Sequence, residues 1–227
     1  MPQTLFTSRH GGVSAAPFDS FNLALHVGDD PELVRSNRNR LAEQIGITRD
    51  RIFFMNQVHG NEVASITESS SNEIEPTADA LFTCAPGRAL VVLVADCAPL
   101  LLKSSRAVAA VHVGRRGLVS EVMEATLELF DRAGVKRSEI AAELGPSICA
   151  NCYQVDPKTY DAVVAKNSSS ATTKEQSCLD INSGLRANLT RAGVTFTSLD
   201  ICVKHDSGYF SYRNENRTGR QAGVVWL

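Results

Sequence analysis

The chain has 227 residues, 43% hydrophobic and 21% charged, the composition of a soluble globular protein with a sizeable core. With 23 Lys and Arg against 25 Asp and Glu, its net charge of -2 gives no reason to expect nucleic acid or an acidic membrane as a partner. The expected partner is therefore a small molecule.

No apolar run approaches the roughly 20 residues of a membrane span. The first residues also lack the basic stretch and apolar core of a signal peptide, so we expect a cytoplasmic protein. Six cysteines in such a protein are better interpreted as thiols or metal ligands than as a disulfide framework. No repeat or Gly/Ser-rich linker divides the sequence, which predicts a single domain spanning residues 1–227.

The predicted elements begin with a helix over residues 30–46. Asp30 can cap it, Pro31 suits its first turn and Gly46 can end it. Short β-branched runs that are apolar on both faces predict core strands at 89–95 and 107–113.

A second helix is predicted over residues 118–133, from apolar residues at helical spacing. Shorter strands are predicted at 62–67, 140–144, 200–203 and 223–227, and the polar segment 167–173 predicts a surface loop. Because strands and helices alternate irregularly, the pattern favours an α+β architecture with mixed sheets over a doubly wound fold.

A β-hairpin predicted around residues 96–113 brings a thiol and an imidazole together. With its turn centred on Ser104 and Ser105, Cys97 lies directly opposite His112, where Cβ atoms on one sheet face are about 4.5–5.5 Å apart. Three interpretations are open: a buried cysteine beside a hydrogen-bonded histidine, a nucleophilic thiolate, or part of a metal site.

A metal site needs a further donor, and elimination among the five histidines favours His59, which lies in a short loop. Two histidines and one cysteine leave a fourth zinc position open, as in catalytic sites. A competing structural zinc site is predicted by the Cys149-x-x-Cys152 and Cys202-x-x-His205 pairs.

The segment after His112 has the composition of an anion-binding loop. Gly114 and Gly117 allow backbone amides to approach a ligand at the start of a helix, and Arg115 and Arg116 add positive charge. The alternative is an ordinary strand-to-helix turn with solvated arginines.

Short motifs occur in a fixed order along nearly the whole chain. They are 7–9 (TSR), 11–14 (GGVS), 21–23 (FNL), 27–30 (VGDD), 56–60 (NQVHG), 78–80 (ADA), 95–97 (ADC), 111–114 (VHVG), 145–146 (GP), 152–153 (CY), 210–213 (FSYR) and 218–221 (TGRQ). In these motifs the sequence resembles the YfiH family, variously labelled laccase-like multicopper polyphenol oxidoreductase, zinc-dependent purine nucleoside phosphorylase and peptidoglycan editing factor.

The resemblance implies two mixed β-sheets packed together and flanked by helices, and a zinc ion bound by His59, Cys97 and His112. It implies phosphorolysis of purine nucleosides and hydrolytic deamination of adenosine. One alternative is amide hydrolysis of a peptidoglycan precursor, by zinc-bound water or by Cys97 as nucleophile. Another is a metal-stabilised nucleotide-binding protein without turnover. Copper is less expected than zinc, because multicopper oxidases need more than five histidines.

The predicted site residues fall into three groups. The catalytic candidates are Cys97, Asp96 and Arg116, and the metal ligands are His59, Cys97 and His112. The candidates for binding substrate or phosphate are Arg9, Asn22, Arg38, Gln57 and Arg213.

Two positions depart from the pattern of the family. Members commonly have Gly-Trp-Arg-Gly where this chain has Arg115 in place of the tryptophan, which removes an aromatic surface and adds charge. Where many members have Cys-Cys-Tyr and a later Cys-x-x-Cys, this chain has Asn151 before Cys152, and His205 after Cys202.

Overall fold

Two mixed β-sheets form the centre of the computed structural model, which describes residues 1–172 and 177–227. Within these residues the strands are β1 Gln3–Phe6, β2 Ile52–Phe53, β3 Val63–Ile66, β4 Ala80–Thr83, β5 Ala89–Val94, β6 Ala98–Lys103, β7 Val108–Val113, β8 Ala141–Leu144, β9 Thr195–Ser198 and β10 Gln221–Trp226. The helices described are α1 Pro31–Ile45, α2 Arg115–Val119, α3 Val122–Arg132, α4 Pro157–Lys166, α5 Ile181–Ala192 and α6 Tyr212–Glu215.

Each sheet contains both parallel and antiparallel pairs. The smaller sheet has the order β1-β10-β5-β2, in which only the β2–β5 pair is parallel among the described residues. The larger has the order β3-β4-β7-β6-β8-β9, with parallel pairs at its two edges. The predicted α+β class with two mixed sheets is therefore confirmed.

The alternation of side chains along the central strands explains why both faces are apolar. In β5, Val91 and Leu93 pack with α1, whereas Leu90 and Val92 enter the core between the two sheets. In β6, Leu101 faces the same inter-sheet core, and its neighbours in the strand pack beneath α3 and α5. Helices therefore cover the outer face of each sheet.

Most predicted elements are confirmed. Helix α1 begins after Asp30, whose carboxylate accepts a 2.9 Å hydrogen bond from Glu32 N, and ends at Gly46 with φ 67°. The core strands at 89–95 and 107–113 correspond to β5 and β7, and three of the four shorter strands correspond to β3, β8 and β10.

The continuous helix predicted over 118–133 is wrong, because the chain forms α2 and α3 with a break between them. Glu121 adopts a left-handed conformation with φ 63°, and Asn61 Nδ2 donates a 3.0 Å hydrogen bond to the freed Ser120 carbonyl. Helix α2 begins at Arg115, separated from the end of β7 by one residue, and so three residues before the predicted helix.

The strand predicted at 200–203 is also wrong. Asp200 has φ 54°, which interrupts an extended strand, and the segment contributes only a single bridge between Cys202 and Ser147. The strand lies instead at β9, an exposed edge whose residues carry little apolar pattern.

The polar segment 167–173 lies at the surface through Ser168, Ser169 and Ala171, but its described part is not an irregular loop, and Thr173 lies outside the described residues. Residues Ser168–Ser170 form a 3₁₀ turn, and Ser170 is fully buried. Gly184 of α5 permits this packing, because a Cβ at that position would lie 2.1 Å from Ser170 Oγ. None of the described helices is long and apolar enough to cross a membrane.

Leu101 provides a test of the inter-sheet core. We expect Leu101→Ala to lower the free energy of unfolding by about 3 kcal/mol, because the side chain is fully buried between two sheets that cannot collapse onto the space. Denaturant unfolding measures this loss. Leu199→Ala is the control, since Leu199 is 51% exposed, and equal losses in both variants would contradict the assignment of the core.

Candidate metal centre and substrate cavity

Three side chains that could hold a metal ion meet where β5 and β7 end and β6 begins. Cys97 follows β5, His112 lies in β7, and His59 lies in the loop after β2. Cys97 Sγ lies 3.9 Å from His59 Nε2, and the two imidazole rings meet edge to face with their centroids 4.7 Å apart. One donor atom from each residue lies within 4.8 Å of the others. The structure thus brings together the three predicted ligands.

The hairpin register that led to this pair is shifted by two residues. His112 lies opposite Pro99, because the turn spans Ser104 to Ala107 and is closed by a 2.9 Å bond from Ser104 N to Ala107 O. The predicted direct opposition of Cys97 and His112 is therefore wrong. A shift of two residues preserves the sheet face, so both side chains still point to the same side.

Asp79, which we did not predict as a site residue, organises the cluster. Its buried carboxylate accepts three hydrogen bonds, from His112 Nδ1 at 2.8 Å, His59 N at 2.9 Å and Gly60 N at 2.6 Å. A fourth hydrogen bond of 3.2 Å comes from Val58 N. Asp79 therefore orients one histidine through its ring and the other through its backbone. It leaves His112 Nε2 as the ring nitrogen available to a metal.

The loop that carries His59 is held at a second point. Gln57 Nε2 donates to Leu93 O, and Gln57 Oε1 accepts from Leu93 N, both at 2.8 Å. His59 itself adopts a left-handed conformation with φ 62°. The amide of Gln57, predicted to bind substrate, thus pairs with the backbone of β5.

Opposing effects set the pKa values in the cluster. Burial raises the pKa of the Asp79 carboxyl, but hydrogen bonds from His112 and the backbone of Gly60 outweigh burial and lower it. Burial also raises the pKa of Cys97, yet the charge and hydrogen bond of His112 lower it to about 6. Burial lowers the pKa of His112, which Cys97 and Asp79 raise to about 9. The cluster therefore stabilises an anionic sulfur, the form that binds metals.

A cavity of about 470 Å³ opens beside this cluster, and its lining is strongly cationic. Arg115 and Arg116 come from the start of α2, Arg213 from α6, and Arg220 from the residue before β10. Asp96 is the only acidic side chain among the described residues that line the cavity. The site is therefore suited to an anionic ligand.

Aromatic side chains form part of the same lining. Tyr212 is 51% exposed, and Tyr153 lies under the guanidinium of Arg213, 4.8 Å from its ring centroid. Arg213 also donates a 2.6 Å hydrogen bond to Gln154 O. These contacts join the segment before α4 to α6 as one wall of the cavity.

The two carboxylate oxygens of Asp96 are already occupied. Ser211 Oγ donates to Oδ1 at 2.6 Å, and Arg213 N donates to Oδ2 at 2.8 Å. Asp96 has φ 93°, a conformation that is rare for a residue other than glycine. Asp96 therefore anchors α6 to the loop between β5 and β6, which carries Cys97.

Three predicted binding residues do not line the cavity. Arg9 pairs with Glu215 at 2.6 Å, and Arg38 pairs with Glu75 at 2.7 Å while covering a phenylalanine ring. Asn22 is fully buried and hydrogen-bonds to surrounding backbone. The side chains of all three hold neighbouring loops together.

Several cavity residues lie outside the predicted site residues, among them Arg220, which carries charge, and His26, whose side chain is of a type that titrates near neutral pH. Arg220 lies within the motif 218–221, whereas His26 lies in none of the motifs. Burial, and then the charge of Arg220, lowers the pKa of His26. Neither position has a local pattern that distinguishes it, because each reaches the cavity through long-range packing.

The fold and these side chains define a two-sheet protein in which a candidate metal centre opens onto a cationic cavity. The chain belongs to the multi-copper polyphenol oxidoreductase laccase family, whose family model matches residues 3–227.

Named relatives cover almost the whole chain. A purine nucleoside phosphorylase of Corynebacterium glutamicum is 45% identical over 98% of this chain and 93% of its own length. A purine nucleoside phosphorylase of Streptomyces coelicolor is 40% identical over 98% of this chain and 94% of its own length.

Solved structures also share the fold. A Neisseria meningitidis protein of the DUF152 family has 34% identity and a TM-score of 0.90, covering 100% of this chain and 94% of its own. YlmD of Geobacillus stearothermophilus has 29% identity and a TM-score of 0.90, covering 99% of this chain and 91% of its own.

Proposed function

We propose that the chain is a zinc-dependent purine nucleoside phosphorylase that also deaminates adenosine, with residues 1–227 forming a single catalytic domain. The observation that carries this proposal is the convergence of four arginines beside the His59, Cys97 and His112 cluster. The names of the relatives support the same substrate class.

Phosphorolysis places two demands on the cavity. A phosphate oxygen forms a bond to C1′ of the ribose, while the bond from C1′ to the purine nitrogen breaks and its electron pair leaves with the base. The products are ribose 1-phosphate and a free purine, whose nitrogen takes up a proton. The site must therefore hold an anionic nucleophile against the ribose and hold the base in position.

The arginines meet the first demand. Within residues 1–172 and 177–227, no hydrogen bond or ion pair engages the Arg116 guanidinium. Arg220 uses Nη1 on the carbonyls of Thr218 and Gly219, which leaves its other nitrogens toward the cavity. Guanidinium groups bind phosphate through paired hydrogen bonds, so these two residues are the proposed phosphate ligands.

The aromatic lining meets the second demand. Tyr153 and Tyr212 offer ring faces to a purine, and stacking on an aromatic side chain does not depend on the substituents of the base. This is consistent with several purine nucleosides as substrates. Arg115, which replaces the usual tryptophan of the family, lies beside Tyr153 and adds charge to this wall.

The donor set fits zinc. Two imidazoles and one thiolate are borderline-soft ligands, and three protein ligands leave a position open toward the cavity. A zinc ion bound by His59, Cys97 and His112 would supply a Lewis acid and would lower the pKa of bound water. That chemistry also suits hydrolytic deamination of adenosine, so both activities are assigned to one site.

Product analysis tests the proposal. The purified full chain is incubated with adenosine or inosine, with and without phosphate, and the bases and ribose 1-phosphate are quantified. We expect ribose 1-phosphate equimolar with free base only when phosphate is present, and inosine from adenosine in its absence. A chelator should stop both reactions and added zinc should restore them. Absence of base release would overturn the phosphorylase assignment, and chelator-insensitive turnover would overturn the role of zinc.

Removing one guanidinium provides a second test. We expect Arg116→Ala to raise KM for phosphate about 10-fold, because it removes a charge-assisted hydrogen bond without touching the metal ligands. The nucleoside KM should change little. Initial rates at varied phosphate measure the effect, with Arg132→Ala on the exposed surface of α3 as the control. An unchanged phosphate KM would contradict the assignment of Arg116.

A further inference from the structure

A second group of metal-ligand side chains lies outside the site described above. It consists of Cys149, Cys152, Cys202 and His205, and one donor atom from each lies within 4.8 Å of the others. Cys152 Sγ lies 3.0 Å from His205 Nε2, and Cys149 N donates a 3.3 Å hydrogen bond to Cys202 Sγ. All three cysteines are free thiols. We propose that these four side chains bind a structural zinc ion.

The spacing of the donor atoms is close to that of a coordination sphere. Zinc–sulfur bonds of about 2.3 Å and zinc–nitrogen bonds of about 2.0 Å, in a tetrahedron, separate neighbouring ligand atoms by about 3.5–3.8 Å. Donors within 4.8 Å of one another therefore need to move by about 1 Å at most. Side-chain rotation accommodates a movement of this size.

The local backbone explains why four separate side chains converge. Cys152 N donates to Cys149 O, and His205 N donates to Cys202 O, each at 3.0 Å, so each pair lies on one tight turn. A bridge between Ser147 and Cys202 then holds the two turns side by side. Each turn presents two ligands toward the other.

The ligand chemistry distinguishes this cluster from the one at the cavity. Three thiolates and one imidazole fill all four tetrahedral positions, which is the arrangement of a closed, structural site rather than a catalytic one. Such soft donors select zinc over magnesium or calcium. His205 is exposed and the cysteines are half-buried, so an ion reaches them from solvent.

The position of the cluster indicates which part of the structure a bound ion would stabilise. Cys152 is followed directly by Tyr153, and the segment after His205 leads into α6 and Arg213. These two segments form one wall of the cavity, and the hydrogen bond from Arg213 to Gln154 O joins them. A zinc ion would join the same two segments at their other end and so fix that wall.

Metal content tests the proposal without depending on any enzymatic activity. The full chain is loaded with zinc, freed of excess and analysed for metal per chain. We expect about two ions in the wild type, about one in either Cys152→Ser/Cys202→Ser or Cys97→Ser, and none when all three substitutions are combined. Cys84→Ser, which changes an exposed cysteine outside both clusters, should retain the wild-type content. An undiminished count in Cys152→Ser/Cys202→Ser, which keeps only two of the four ligands, would overturn the proposal.

Thiol accessibility in the wild-type chain covers the case of a variant that fails to fold. We expect Cys149, Cys152 and Cys202 to resist a thiol reagent in the zinc-loaded protein and to react after chelation, as identified by peptide mapping. Hydrogen exchange at residues 149–154 and 209–213 should increase on chelation in the Cys97→Ser background, where the first site is already disabled. Equal reactivity of these three thiols before and after chelation would overturn the proposal. A Cys149–Cys152 disulfide that persists after treatment with a reductant would also overturn it.

Discussion

The Asp79→Asn variant is expected to lose about 10–100-fold in metal affinity at the His59 cluster, together with about 3 kcal/mol of stability. Asp79 Oδ1 accepts from His59 N and His112 Nδ1, and Oδ2 accepts from Val58 N and Gly60 N. Either orientation of an asparagine amide places its NH₂ group against at least one of these N–H groups. The histidines would then lose their fixed orientation.

Competition with a fluorescent chelator measures the affinity of the Asp79→Asn variant, and denaturant unfolding measures its stability. Glu62→Gln is the matched control, because Glu62 is exposed and lies three residues after His59. The substitution also replaces a carboxylate by an amide. Wild-type metal affinity in Asp79→Asn would show that the carboxylate does not position the ligands.

The second large effect concerns the ligands themselves. We expect Cys97→Ser and His59→Ala each to lower phosphorolysis by more than about 100-fold, because even the loss of an outer partner of a ligand costs 10–100-fold. Both variants should lose the metal ion of this cluster while keeping the second ion. Steady-state rates and metal analysis on the same preparations give the two readouts.

The pair of variants also separates a metal ligand from a nucleophile. If Cys97 acted by direct attack, as in the amide-hydrolysis alternative, His59→Ala would retain most of the activity while Cys97→Ser lost it. Equal losses that follow the metal content support the metal centre. Cys84→Ser controls for the general effect of removing a thiol.

The elements that sequence analysis predicted correctly are those whose burial leaves a local pattern. Strands β5 and β7 are apolar on both faces because each lies in the middle of a sheet covered on both sides. Helix α1 has Asp30 and Gly46 at its two ends. Strand β9 left no such pattern, since it is an exposed edge.

The part of the candidate site that sequence analysis could predict consists of residues whose side chains are themselves typical metal ligands. Cys97 and His112 were placed on the same sheet face despite a wrong register, because the shift was even. Asp79 was missed because its role depends on contacts with a loop some twenty residues earlier in the chain. Arg9 and Arg38 lie outside the cavity lining, and sequence alone does not separate the two cases, since a part-buried ion pair and a phosphate ligand both use an arginine guanidinium.

The order of strands in the smaller sheet has a consequence for biosynthesis. Strand β5 lies between β2 and β10, and β10 follows β5 by more than 120 residues along the chain. During translation, β5 has one unpaired edge until Gln221–Trp226 leaves the ribosome, and the adjacent loop with Cys97 lacks its final support. The cavity also waits for Arg213 and Arg220. A nascent chain that lacks Gln221–Trp226 therefore has no assembled site, and competence to bind ligand reports that this strand has paired with β5.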